Sequence, residues 1–329
     1  LTLSSNQRIV VWLILALCII SVPLSFINHH RSSETQTGED ESSQLQSAIP
    51  FRDRIQVIHL NGMIIDKGES SLLSSMGTST SVRKKLYKAL KNEHVKAVLL
   101  RINSPGGTVA SSQELHGAVM ALRKAGKPVI VSMGDLAASG GYYVACAADR
   151  VFAEPGTLTG SIGVIMNLFN LQGIEQKLGV QAEVVKSGQF KDIGSPNRAM
   201  TPEEKNLLQS LILDSYDQFV AAVAAGRKMD EQSVRKLADG RIYSGRQALK
   251  VGLIDELGGF EESKEAIRKL ARERYNLKAD LPVDEGEGLG FLNSLLESAA
   301  ERIPESKPFE GLMPALRSDL QKVPLYLMQ

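Results

Sequence analysis

Val95-Lys-Ala-Val-Leu-Leu-Arg-Ile-Asn-Ser-Pro-Gly-Gly107 runs from an almost unbroken apolar stretch straight into a glycine-rich break. A strand covered on both faces reads as a continuous apolar run, whereas a one-sided strand alternates. Val95 to Ile102 is therefore predicted as an interior strand of a largely parallel sheet. Ile55 to Leu60 and Val129 to Met133 read the same way, while Val82 to Lys91 and Ser111 to Lys124 carry helical patterns between and around them. Strand and helix alternate, which predicts an α/β fold with helices on both faces of the sheet. The breaks at Ser104 to Gly107 and Gly134 to Gly141 fall just past strand ends, where ligand sites collect in such sheets.

Further along, Thr201 to Ala225 reads as one long helix. Thr201 caps it, Pro202 fits the first turn, and Glu203 and Glu204 suit the positive end of the dipole. Its apolar stripe, from Leu207 and Leu211 to Phe219 and Val223, suits either a core face or a subunit interface. Before the sheet, Ile9 to Ile27 is uncharged and spans roughly the twenty residues a helix needs to cross hydrocarbon. No Ala-x-Ala cleavage site follows, which favours an uncleaved anchor over a signal peptide. Arg8 and Arg31 flank it and leave its orientation open. The expected organisation is an N-terminal segment (1–8), a transmembrane anchor (9–27), a polar linker (28–50), an α/β domain (51–278) and a flexible tail (279–329).

Lysine plus arginine (38) nearly balance aspartate plus glutamate (37), which argues against nucleic-acid binding. Cys18 and Cys146 lie in an apolar run and a helical stretch, so no disulfide between them is expected. With no His/Cys cluster and no phosphate-binding glycine pattern, neither a metal nor a nucleotide cofactor is expected.

Asp135-Leu-Ala-Ala-Ser139-Gly-Gly-Tyr-Tyr-Val-Ala145 places a serine among small residues at a strand-to-helix turn. Backbone N–H groups there favour developing negative charge, and small neighbours admit a substrate carbonyl. Alone, Ser-Gly-Gly reads as a plain helix cap. Asn103-Ser-Pro-Gly-Gly107 supplies a second glycine turn after a neighbouring strand, so bare amides from both turns can converge as an oxyanion hole. A serine nucleophile needs a base, and His29, His30, His59, His94 and His116 are poorly placed for that role. A lysine serves if burial favours its neutral amine. Lys186 and Lys191 both qualify in Val184-Val-Lys-Ser-Gly-Gln-Phe-Lys-Asp-Ile193. Phe190 and Ile193 could shield Lys191 from water, which gives it a modest lead.

In combination these motifs resemble signal peptide peptidase A, in its short bacterial form, within the ClpP/crotonase superfamily. Asn103-Ser-Pro-Gly-Gly107, Ser139-Gly-Gly141, Thr157-Leu-Thr-Gly-Ser-Ile-Gly163, Lys186-Ser-Gly-Gln-Phe-Lys-Asp192 and Gly240 through Gly258 occur in the family's order. The resemblance implies a ClpP/crotonase-like spiral of βαβ units. It also implies that Ser139 attacks the scissile carbonyl, that Lys191 accepts its proton and that Ser161 orients the lysine. Gly106 and Gly140 would donate the oxyanion amides, with Gly107 a near alternative to Gly106.

The expected activity is that of a single-pass serine endopeptidase facing outward from the bacterial cytoplasmic membrane. It would degrade apolar signal-peptide remnants, with no cofactor, as a homo-oligomer, an octameric ring whose dyad is shared between subunits. A quality-control protease of the same superfamily is the nearest alternative. An acyl-CoA-handling enzyme and a non-catalytic membrane scaffold are more distant ones.

Overall fold

The structure, a computed structural model, describes residues 52–66 and 79–285 and the backbone of 325–327. In chain order the elements are β1 (Arg54–Asn61), α1 (Ser79–Lys91), β2 (Val95–Ser104), β3 (Gly106–Thr108), α2 (Val109–Lys124) and β4 (Val129–Ala138). Next come α3 (Gly140–Ala145), β5 (Arg150–Ala153), β6 (Leu158–Gly160), α4 (Gln172–Leu178), α5 (Pro202–Arg227) and α6 (Glu231–Leu237). The chain closes with β7 (Ile242–Ser244), α7 (Gly245–Lys250), β8 (Glu256–Leu257), α8 (Phe260–Tyr275), β9 (Val283–Asp284) and β10 (Leu325–Leu327). Residues 1–8, the anchor expected at 9–27 and the linker expected at 28–50 lie outside the described residues. Among the described residues no helix is long and apolar enough to cross a membrane.

The α/β reading holds. Strands β9, β1, β2 and β4 lie side by side in parallel, and both faces are apolar because side chains alternate across a strand. Ile58, Leu60, Val98, Leu100, Val129 and Val131 face one layer, built with α1, α2, α3 and part of α5. Ile55, Val57, Ala97, Leu99 and Ile130 face the other, where α8 supplies Ile267 and Ala271. Each such side chain removed from water stabilises the fold by about 1.5–3 kcal/mol. Continuous apolar runs in β1, β2 and β4 are thus the direct consequence of a sheet sandwiched by helices.

Strand β4 carries the departure that makes the site. Its first half pairs with β2 and with β5, as Ile130 opposite Arg150 illustrates. Ile102 faces Met133, but Ser104 faces Ala137, so β4 bulges between these points. Beyond the bulge Leu136, Ala137 and Ala138 pair in parallel with β6, and β6 pairs antiparallel with β7. The stretch Gly134 to Gly141 is therefore not a break starting after Met133; strand structure continues to the residue before Ser139. Three side-chain bonds hold this extension. Asn103 Oδ1 accepts the Leu136 amide at 3.1 Å, and Thr157 and Thr159 donate to the Gly134 and Ala137 carbonyls at 2.8 and 2.7 Å.

Two short strands lie within the span 279–329 expected to be a flexible tail. Val283 and Asp284 form the edge strand β9 on β1, with Ile55 N donating to the Pro282 carbonyl. The backbone of Leu325–Leu327 pairs antiparallel with β3.

Candidate active site

Ser139 links the extended β4 to α3. Its amide donates to the Gly160 carbonyl at 2.8 Å, and its carbonyl accepts from Tyr143 as α3 begins. Meeting both demands forces φ 52° and ψ −117°, a conformation that strains a non-glycine residue. The side chain is fully buried, and Oγ has no hydrogen-bond partner. A buried hydroxyl without a partner is costly and needs an explanation.

The glycines close around it. A methyl at Gly140 would collide with Ser112 Oγ and come within 3.1 Å of Gly107 N, so only glycine lets the two turns meet. The Gly106 amide already donates to Ser104 Oγ at 3.1 Å. Gly106 also holds φ 104°, which places its carbonyl on the Ile64 amide at 2.8 Å, and Thr108 N returns a bond to the Ile64 carbonyl. Backbone groups alternate along a strand, so those of Gly107 face the opposite edge, where Tyr326 of β10 lies across from it. Of the two glycines named for this donor, both lie against Gly140, but the Gly106 amide is engaged internally.

Ser161 follows β6 immediately. Gly160 bonds to Ser139, so the Ala138–Gly160 pairing carries Ser161 to the nucleophile's side of the sheet. Ser161 is buried at φ 49°, with its amide on the Arg241 carbonyl.

Neither lysine bonds to Ser139 Oγ within the chain. Lys186 Nζ donates to Asp192 Oδ1 at 2.6 Å and to the Gln189 carbonyl at 3.0 Å. Lys191 is exposed, and the Phe190 expected to shield it is itself 39% exposed. Since Ser139 Oγ has no partner, Lys191 does not bond to it within one chain. Among the histidines, His116 packs on Tyr143, and burial with Arg123 nearby pushes it down to about 4. His94 pairs with Asp53. Among the described residues no cluster could hold a metal ion.

Sequence reasoning missed one set of residues near Lys191. Arg198 bonds both Asp192 and Glu204, and Glu204 closes a capping box with Thr201. Thr201-x-x-Glu204 was a usable signal for the box. Nothing periodic links 192, 198 and 204 through an irregular turn.

The sheet and serine turn fit an α/β protease fold. The signature of peptidase family S49 matches residues 121–274. A Synechocystis protein provisionally named as a protease is 46% identical over 196 residues, 59% of this chain and 70% of its own length. An Enterococcus faecium protein provisionally named signal peptide peptidase SppA is 40% identical over 217 residues, 66% of this chain and 63% of its own. Protease 4 of Salmonella typhi is 35% identical over 263 residues, 79% of this chain but 41% of that protein. The chain belongs to peptidase family S49, as a member of the signal peptide peptidase A family.

Proposed function

We propose that the protein is a membrane-anchored serine endopeptidase in which Ser139 is the nucleophile and Lys191 of a neighbouring subunit is the general base. The observation that carries this reading is the buried, strained Ser139 hydroxyl with no partner of its own. Strain and an unmet hydrogen bond persist where function requires them.

In this mechanism Ser139 Oγ bonds to the scissile carbonyl carbon while its proton passes to the neutral Lys191 amine. The carbonyl oxygen becomes an oxyanion facing the amides of Gly140 and of Gly106 or Gly107. If Gly106 serves, it must share or release its bond to Ser104. Collapse breaks the C–N bond, and the Lys191 ammonium gives its proton to the leaving amine. Water then attacks the acyl carbon, losing a proton to the same lysine, the Oγ–acyl bond breaks, and the Lys191 ammonium returns the proton to Ser139 Oγ. Ser161 orients the amine.

A shared dyad accords with an exposed Lys191 and an unpartnered Ser139 in one chain. Large apolar side chains at Phe169, Ile174, Leu178, Val185 and Leu211 are also exposed. We assign them to contacts in a homo-oligomeric ring, an octamer, built on ClpP/crotonase-like spirals, whose branching β4 suits that architecture. The substrate class is apolar, extended peptide such as signal-peptide remnants, met outside the cytoplasmic membrane to which residues 9–27 would tether the chain. Antiparallel pairing of β10 with β3 supports this, because it places an extended backbone along the edge beside Gly107.

The test is peptide hydrolysis by the chain from Phe51 onward and by its Ser139→Ala, Lys191→Ala and Lys186→Ala variants. The first two should lose at least about a thousandfold in kcat. Hydrolysis surviving in both rejects the dyad, and loss in Lys186→Ala alone moves the base to Lys186.

A further inference from the structure

We infer that Arg198 is a positioning residue that clamps the Lys191-bearing turn to the first turn of α5. The inference rests on the reading of Lys191 as the base, and it answers a question that reading raises. Residues 187–197 form no helix or strand. Around Lys191 their backbone bonds are short-range turns, with Lys191 N on the Gly188 carbonyl, Ile193 N on Phe190 and Ser195 N on Asp192; a longer-range backbone bond, Leu171 N on the Pro196 carbonyl, lies five residues beyond the lysine. Such a segment cannot by itself hold a lysine where a proton must cross.

Arg198 supplies the missing tie. Its Nε and Nη2 donate to Asp192 Oδ2 and Oδ1 at 2.8 and 2.9 Å, a two-pronged grip on the residue next to Lys191. Nη1 donates to Glu204 Oε2 at 2.8 Å, and Nη2 also meets Glu204 Oε1. The Glu204 side chain is 3% exposed, against 30% for Arg198, and Glu204 Oε2 accepts the Thr201 amide at 2.9 Å. The path to the rigid helix therefore starts at Asp192, joined to Lys191 by the peptide bond, and continues through Arg198, Glu204 and Thr201 by hydrogen bonds. Adjacent Cα atoms lie about 3.8 Å apart, so fixing Asp192 fixes the root of the lysine.

The clamp also settles charge. A free Asp192 carboxylate would compete for the neighbouring ammonium and keep the proton that a base must exchange. Here Lys186 and Arg198 together occupy both Asp192 oxygens. A planar guanidinium serves both carboxylates at once, which a lysine ammonium does not match.

The experiment compares peptide hydrolysis by the full chain with Arg198→Ala, Arg198→Lys, Glu204→Gln and Lys191→Ala, each normalised to the titre of inhibitor-reactive Ser139 and accompanied by a thermal melt. Arg198→Ala and Glu204→Gln should lower kcat by about tenfold to a hundredfold, as expected for a base displaced by about 1 Å. KM should stay within about twofold, since uniform binding is untouched. Arg198→Lys should recover part of the loss. An unchanged kcat, a loss carried by KM, or a loss that only follows the melting midpoint would overturn the clamp. If Arg198→Ala does not fold, the Glu204→Gln and Arg198→Lys values decide by the same criteria. Lys191→Ala separates the two levels: dead Lys191→Ala with unimpaired Arg198 variants sinks the clamp alone, whereas active Lys191→Ala sinks the base assignment and the clamp with it.

Discussion

Ser139 bears two burdens that a purely structural serine would shed, a positive φ and a buried hydroxyl without a partner. The strained backbone costs of the order of 1–3 kcal/mol, and the orphaned hydroxyl about 1–3 kcal/mol more. Ser139→Gly removes both and should raise the melting temperature while abolishing hydrolysis; calorimetry beside a peptide assay reads both. A variant less stable than the parent would show that Ser139 supports the fold. Its candidacy was legible in the sequence because Ser139-Gly-Gly141 stands among small residues after an apolar run. Its backbone angles were not, since they follow from simultaneous bonds to Gly160 and Tyr143, one of them 21 positions away. The internal use of the Gly106 amide by Ser104 was hidden for a similar reason, because a motif gives residue types and not the direction of an N–H.

Elements whose signals are local were legible. The long helix starts where Thr201, Pro202 and the two glutamates place it, though it ends at Arg227 and not Ala225, with Lys228 in the left-handed conformation. The extension of β4 was not legible, since its partner β6 is a three-residue strand without a periodic pattern of its own. Nor were β9 and β10, whose pairing is long-range. The Asp192–Arg198–Glu204 tie carries a pH signature. Arg198 and the Thr201 amide hold Glu204 down at about 2, and Arg198 with Lys186 holds Asp192 well below the usual carboxylate range. Carboxylates lowered on folding contribute stability above their unfolded values near about 4, and lose it as pH falls through the folded ones. Hydrogen exchange of amides 187–197 should therefore be unchanged from pH 7 to 5 and lose protection as pH falls toward 2, relative to the intrinsic rate. Loss already complete at pH 5 would contradict the tie. At the β3 edge, deleting residues 325–329 should lower KM for an extended peptide with little change in kcat. An unchanged KM would show that β10 and substrate do not share the edge.

At the scale of the whole molecule, the exposed apolar side chains of residues 169–185 and of α5 decide how the stripe beginning at Leu207 is read. Phe219 and Val223 are buried, but Leu207 and Leu211 are 40% and 49% exposed, so one helix serves the core at its end and faces outward near its start. Leu211→Glu should shift the chain toward monomer in analytical ultracentrifugation and lower peptide hydrolysis in parallel; an active monomer would show that a single chain holds a complete site. The central claim is that the hydroxyl of one chain and the amine of another make one site, and mixing tests it most directly. Ser139→Ala and Lys191→Ala proteins, each inactive, are combined in equal amounts under conditions that allow subunits to exchange, and peptide hydrolysis is measured. In a ring with one neighbour supplying each lysine, about a quarter of the sites regain both groups, and activity should return to about that fraction of wild type. Verified exchange with no recovered hydrolysis would contradict the account.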